Sequence, residues 1–131
     1  MIRFAITTGA ALAALSVALG AFGAHAIADT VSAQRLDTWL TATKYLMSHA
    51  QALILVGILA QVFKQPLKWT AILMFTGVCV FSSSLFLLVI TDTPWLGAIA
   101  PIGGLLMISG WVSLIIVSVN QFFLPNKLSD A

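Results

Sequence analysis

Charge is what this chain has least of. Six Lys/Arg and four Asp/Glu make up 8% of 131 residues, against about 25% in a soluble domain. So few polar groups cannot cover a globule in water. The net charge of +2 comes without any Lys/Arg cluster, which excludes a nucleic-acid surface. The single cysteine, Cys79, excludes an internal disulfide and a thiolate metal cage. Inside an apolar run it reads as a small buried hydrophobe.

What fills the chain instead is apolar. Hydrophobic residues are 60% and mean hydropathy is +1.06. Four runs stand out: about 4–24, 45–63, 69–90 and 97–122. Each is near the ~20 residues that a helix needs to cross a bilayer. They must be helices, because lipid offers no partner to open backbone groups. The expected fold is an all-α membrane protein, one domain over 1–131, with four transmembrane helices in a bundle. The second, third and fourth runs hold no Asp, Glu, Lys or Arg. Ion-coupled transporters usually carry such groups in the bundle, so that class has no support here.

The first run poses a question of processing. It follows Met1-Ile2-Arg3 and closes with GAFGAHA, residues 20–26. Ala24-His25-Ala26 fits a signal-peptidase site. Yet the apolar stretch exceeds the ~7–15 residues of a signal h-region. It is also lined with small residues, among them Gly9, Ala13, Gly20 and Gly23. Small faces let helices approach closely in a membrane. The run therefore reads as a retained helix. Gly103, Gly104 and Gly110 offer matching small positions in the fourth run.

The links differ in kind. KQPLK, 64–68, is a tight turn stopped by Pro66. Residues 91–101 form a short link with two prolines. The stretch 27–44 is longer, with Val31, Leu36, Trp39 and Leu40 at near-helical spacing. It reads as a short amphipathic helix lying in the interface, capped by Asp29 or Thr30 and anchored by Trp39. Arg3, Lys64, Lys68 and Lys127 share one side, against Arg35 and Lys44 on the other. That asymmetry places both termini in the cytoplasm.

The chemistry candidates are His25, Tyr45 and His49. His25 ends the first run and His49 opens the second, on one predicted side. Tyr45 lies one turn from His49. A shared polar cluster beneath the link is expected. Imidazoles and carboxylates bind divalent metals, and facing imidazoles bind haem iron. However, the chain has no C-x-x-C-H attachment motif and no H-x-x-x-H pair. The plainer reading is that both histidines hydrogen-bond helix ends or the link. A proton-linked role is the third. Ser82-Ser83-Ser84 and the tryptophans Trp69, Trp95 and Trp111 read as packing or interface groups.

Several of these residues together resemble a family. They are GAFGAHA (20–26), then Trp39, Thr41, Ala42, Tyr45, His49 and Ala50, F-S-x-S-L (81–85), and P-I-G-G (101–104) with Gly110-Trp111. The chain resembles the small inner-membrane proteins of the YgdD/YwdK type, a domain of unknown function with eukaryotic relatives. The likeness covers nearly the whole length. It implies a four-span inner-membrane bundle, a retained first helix and no established activity. Ser83, Leu46 and Ala100 depart from the residues common there.

The expectation is thus a non-enzymatic accessory or interaction partner. Its partners are the lipid bilayer and either a second copy or another membrane protein, with no nucleic acid. The alternative is a ligand-binding protein holding a metal, haem, quinone or lipid at His25, Tyr45 and His49. No particular cofactor follows from the sequence.

Overall fold

The computed structural model describes residues 1–123. Lys127 and the C-terminal residue lie outside the described part. The described residues form four long helices: α1 (Ile2–Phe22), α2 (Ala33–Val62), α3 (Lys68–Thr91) and α4 (Ala100–Phe123). A π-turn, Gly23–Ile27, extends α1, and a 3₁₀ turn, Pro94–Ala98, leads into α4. All four helices are long and apolar enough to cross a membrane.

Helices follow one another in space as in sequence: α1 packs on α2, α2 on α3, α3 on α4. α2 and α3 are central, with 44% of their apolar windows buried, against 17% for α1 and 22% for α4. Short turns set the antiparallel order. Lys64 leaves α2 in the left-handed region (φ 52), and Asp92 does the same after α3 (φ 49). We call the two ends of the bundle the Lys64 end and the Asp92 end.

The link between α1 and α2 corrects the sequence expectation. No separate interfacial helix lies between them among the described residues. α2 begins at Ala33 and runs unbroken through 44 into the bundle. Its cap is Ser32, whose hydroxyl accepts from the Arg35 backbone N–H, rather than Asp29 or Thr30. The reason is continuity. No Pro or Gly falls between Ser32 and Gly57, so nothing stops the helix. Trp39 is a core residue, 1% exposed, instead of an interface anchor.

Helices in lipid gain nothing from hiding apolar surface from one another, so close packing and hydrogen bonds must hold them. Both are present. A methyl at Gly103 would meet the Phe81 backbone nitrogen at 2.5 Å and the Gly77 oxygen at 2.7 Å. At Gly9 it would meet the Ala50 oxygen at 2.6 Å. Gly110 sits on Met74 and Gly23 on the Trp39 ring. Gly20 makes only ordinary contact with Thr43, at 3.4 Å, and Ala13 is half-buried. Gly104 departs from the packing expectation: nothing lies within 4 Å of where its side chain would be. It is one residue, or 100° of helix turn, past the seam that Gly103 occupies.

Hydrogen bonds then join neighbours. Ser16 donates to the Thr43 carbonyl (2.9 Å) and Ser82 to the Ala42 carbonyl (3.0 Å). Thr70 and Ser113 pair at 2.8 Å. Each such bond contributes about 0.6 kcal/mol, up to about 1.7. Every buried side-chain polar atom among the described residues has a partner.

Candidate functional site

The antiparallel register decides where the candidate residues fall. Ser16 meets Thr43, Gly9 meets Ala50, and Gly23 sits on Trp39. His25 lies beyond Gly23 in the π-turn and is exposed. His49 lies far down α2 and is 6% exposed. The rise from Trp39 to His49 alone is about 15 Å, at about 1.5 Å per residue. The structure therefore brings Tyr45 and His49 together and leaves His25 apart. The expectation of one three-residue cluster failed because α2 starts earlier than the hydropathy suggested.

His49 has a different companion. The Trp111 indole N–H donates to His49 Nε2 at 3.3 Å. An indole only donates, so Nε2 accepts and the imidazole proton sits on Nδ1. That proton points at the Tyr45 carbonyl, 3.0 Å away. The Ser48 hydroxyl donates to the same carbonyl (3.1 Å) and lies 3.2 Å from Nδ1. The Tyr45 ring stacks on His49 at 6.1 Å and touches Phe81 at 4.6 Å. Phe81, Tyr45, His49 and Trp111 thus form an aromatic row across α3, α2 and α4. Trp111 lies at the middle of α4, so this row is at mid-depth. Both imidazole nitrogens are engaged, which makes His49 a strut between α2 and α4.

At the Asp92 end a second group closes the bundle. The Trp39 indole donates to the Leu19 carbonyl at 2.8 Å, and its ring lies 4.6 Å from Phe86. Gly23 leaves room for that ring. Within GAFGAHA, this contact accounts for Gly23 and for Phe22, whose ring lies 5.9 Å from that of Trp39. Arg35 pairs with Asp92 at 2.6 Å, tying the start of α2 to the end of α3. Among the described residues, no three His, Cys, Asp or Glu come together as metal ligands. A lateral cleft of about 200 Å³ between α1 and α3 is lined by Leu12, Leu19, Cys79, Ser83 and Phe86. The Ser83 hydroxyl is already bonded to the Cys79 carbonyl.

Several polar side chains lie outside the bundle on one face of α2. Asp37, Lys44, Ser48 and Gln51 are exposed along one face, continued by Leu55, Ile58 and Val62. Ser48 bonds back to its own helix. Among the described residues, no side-chain hydrogen bond engages the Lys44 ammonium or the Gln51 amide. Gln51 follows His49 by two residues and shares its depth. Sequence reasoning missed this face because it began the second span at Tyr45 and gave 27–44 to a separate link. The signal was available: positions 37, 41, 44, 48, 51, 55, 58 and 62 alternate steps of four and three straight through that boundary.

Four apolar helices, packed on glycine seams and stapled by interhelical hydrogen bonds, define a small multi-pass membrane protein. Known proteins agree, and they narrow the class. The family model described as "Protein of unknown function (DUF423)" matches residues 19–104. A UPF0382 membrane protein of Staphylococcus aureus (strain bovine RF122 / ET3-1) is 42% identical over 113 residues, covering 86% of this chain and 93% of the relative. One from Staphylococcus haemolyticus (strain JCSC1435) is 42% identical over 111 residues, covering 85% and 91%. One from Staphylococcus saprophyticus is 41% identical over 111 residues, covering 85% and 92%. The chain belongs to the DUF423 family. No solved structure matches it.

Proposed function

We propose that this chain is a non-enzymatic accessory protein of the bacterial inner (cell) membrane. It is a single four-helix domain with both termini on the cytoplasmic side, and it works by contact with another membrane-embedded protein surface. One observation carries the reading. The buried polar side chains are paired inside the bundle, while Lys44 and Gln51 stand unpaired on the outside of α2. An amide facing hydrocarbon costs roughly 2–7 kcal/mol without a partner. A protein surface at that depth would supply one.

The orientation rests on Arg3, Lys64 and Lys68 at the Lys64 end, against Arg35 and Lys44 towards the other. The alternative, a ligand site at His25, Tyr45 and His49, has less support, because His25 lies in the exposed π-turn apart from the other two. The test is isolation of the full chain from its native membrane in nanodiscs, with mass spectrometry of what travels with it. Recovery of a stoichiometric protein, a second copy included, supports the reading. Recovery of a lone monomer surrounded by lipid contradicts it.

A further inference from the structure

The outward face of α2 has the form of a helix-pairing seam. Asp37, Thr41, Lys44, Ser48, Gln51, Leu55, Ile58 and Val62 recur at alternating steps of four and three. That is the 3.5-residue repeat by which two helices stay in register as they supercoil. Seven of these side chains are exposed and Thr41 is half-buried, so the seam has no partner within the protomer. α1, α3 and α4 occupy the other sides of α2, through Ala50, Ala42 and His49.

We propose that a second copy of this chain covers the seam, with two parallel protomers packing α2 against α2 around a two-fold axis normal to the membrane. This rests on the reading above and names the partner. Two features select a second copy, and one permits it. First, the Gln51 amide both donates and accepts. Across a two-fold axis each Gln51 can donate to its counterpart's carbonyl and accept from its amide. A lipid tail offers neither, and a headgroup does not reach that depth. Second, the charges do not bar self-pairing: Lys44 faces Lys44 and Asp37 faces Asp37, but both lie towards the N-terminal end of α2 and the membrane surface, where water and salt screen like charges. The Lys44 stem leans towards the N-terminal end of α2, which brings its ammonium towards the layer of Asp37 and the membrane surface. Third, the lower half of the seam, Leu55, Ile58 and Val62, is apolar and branched, suited to knobs-into-holes packing. In a parallel pair each layer meets itself, polar on polar and apolar on apolar.

The experiment is cysteine cross-linking of the full chain in membrane vesicles, in a Cys79→Ala background. Single cysteines replace Thr41, Ser48 or Leu55 on α2, and Leu105 or Ile108 on the outward face of α4. After copper-phenanthroline oxidation, the α2 variants should run as disulfide-linked dimers and the α4 variants as monomers. A cross-link from α2 to a different protein overturns self-association and leaves the interaction reading standing. Failure to cross-link on α2, or equal yield on α4, overturns the proposal. Gln51→Leu, counted by single-molecule photobleaching at a fixed protein-to-lipid ratio, should lower the dimer fraction at least about five-fold. Gln51→Asn should retain it. An unchanged fraction in Gln51→Leu rules out the amide pair.

Discussion

The outward faces of α2 and α4 run through the same depth of the bundle and are built from opposite chemistry. On α4 the exposed face is mostly apolar, with Ile102, Leu105, Ile108, Val112, Ile115 and Val119; the exposed Ser109 bonds back to the Leu105 carbonyl, and Asn120 lies near the Lys64 end. On α2 they begin as Asp37, Lys44, Ser48 and Gln51 before turning apolar at Leu55. His49 and Trp111 bond to each other, so the level of the two faces is tied by one contact. The α4 face is what a lipid-solvated helix requires. The α2 face violates that requirement where the cost of an unpaired polar group is highest. If a second copy covers α2, as proposed, outward-facing is not the same as lipid-facing in this protein.

The largest effect expected from breaking this contrast is a charge placed on α4. Ile108→Arg puts at mid-depth a group that costs about 2.5–3.5 kcal/mol on insertion scales. Reversible unfolding in bicelles should show a loss of that order. An unchanged midpoint would mean that α4 does not face lipid. Next comes a pair on α4 itself. Gly103→Ala forces a methyl into the Phe81 and Gly77 backbones and should cost about 1–3 kcal/mol. Gly104→Ala meets open space and should be neutral or gain up to about 1 kcal/mol from helix propensity. Equal effects from the two would move the α3–α4 seam.

A smaller loss is expected at the tie between the two helices. Trp111→Phe keeps a ring but removes the donor to His49, a change of about 0.6–1.7 kcal/mol. A double-mutant cycle with His49→Leu should show coupling. Strict additivity would mean that the strut contributes nothing. The least effect is expected away from both faces. His25→Ala alters an exposed residue in the π-turn and should stay within about 0.5 kcal/mol of the parent in the same unfolding assay. A loss matching that of His49→Ala would restore a structural link between the two histidines.

Much of the architecture was legible because hydropathy and proline report directly on span and stop. The four apolar runs became four helices, and Pro66 and Pro94 fall between them as turn residues should. The start of α2 was not legible. Arg35, Asp37 and Lys44 lower the local hydropathy, and a hydropathy window cannot distinguish a helix leaving the membrane from one hiding its charges on a single face. The pairing of Tyr45 with His49 followed from one-turn spacing, a local property. The pairing of His49 with Trp111 depends on how α4 is turned about its axis. The contact of Gly77 with Gly103 sets that turn, and it joins residues distant in the chain. The role of Gly23 was half visible: its smallness suggested close approach, but only the fold shows that Trp39 is what approaches.

The most direct measurement compares the two faces as lipid sees them. Spin labels placed singly at Ser48 and at Ile108, with Cys79 replaced by Ala, can be read in proteoliposomes for collision with dissolved oxygen, which concentrates in the hydrocarbon core. The account predicts high oxygen accessibility at 108 and clearly lower accessibility at 48, rising towards the value at 108 when Gln51→Leu is added. Equal, high accessibility at both positions in the parent would show α2 bathed in lipid and would contradict the claim that its outward face is covered.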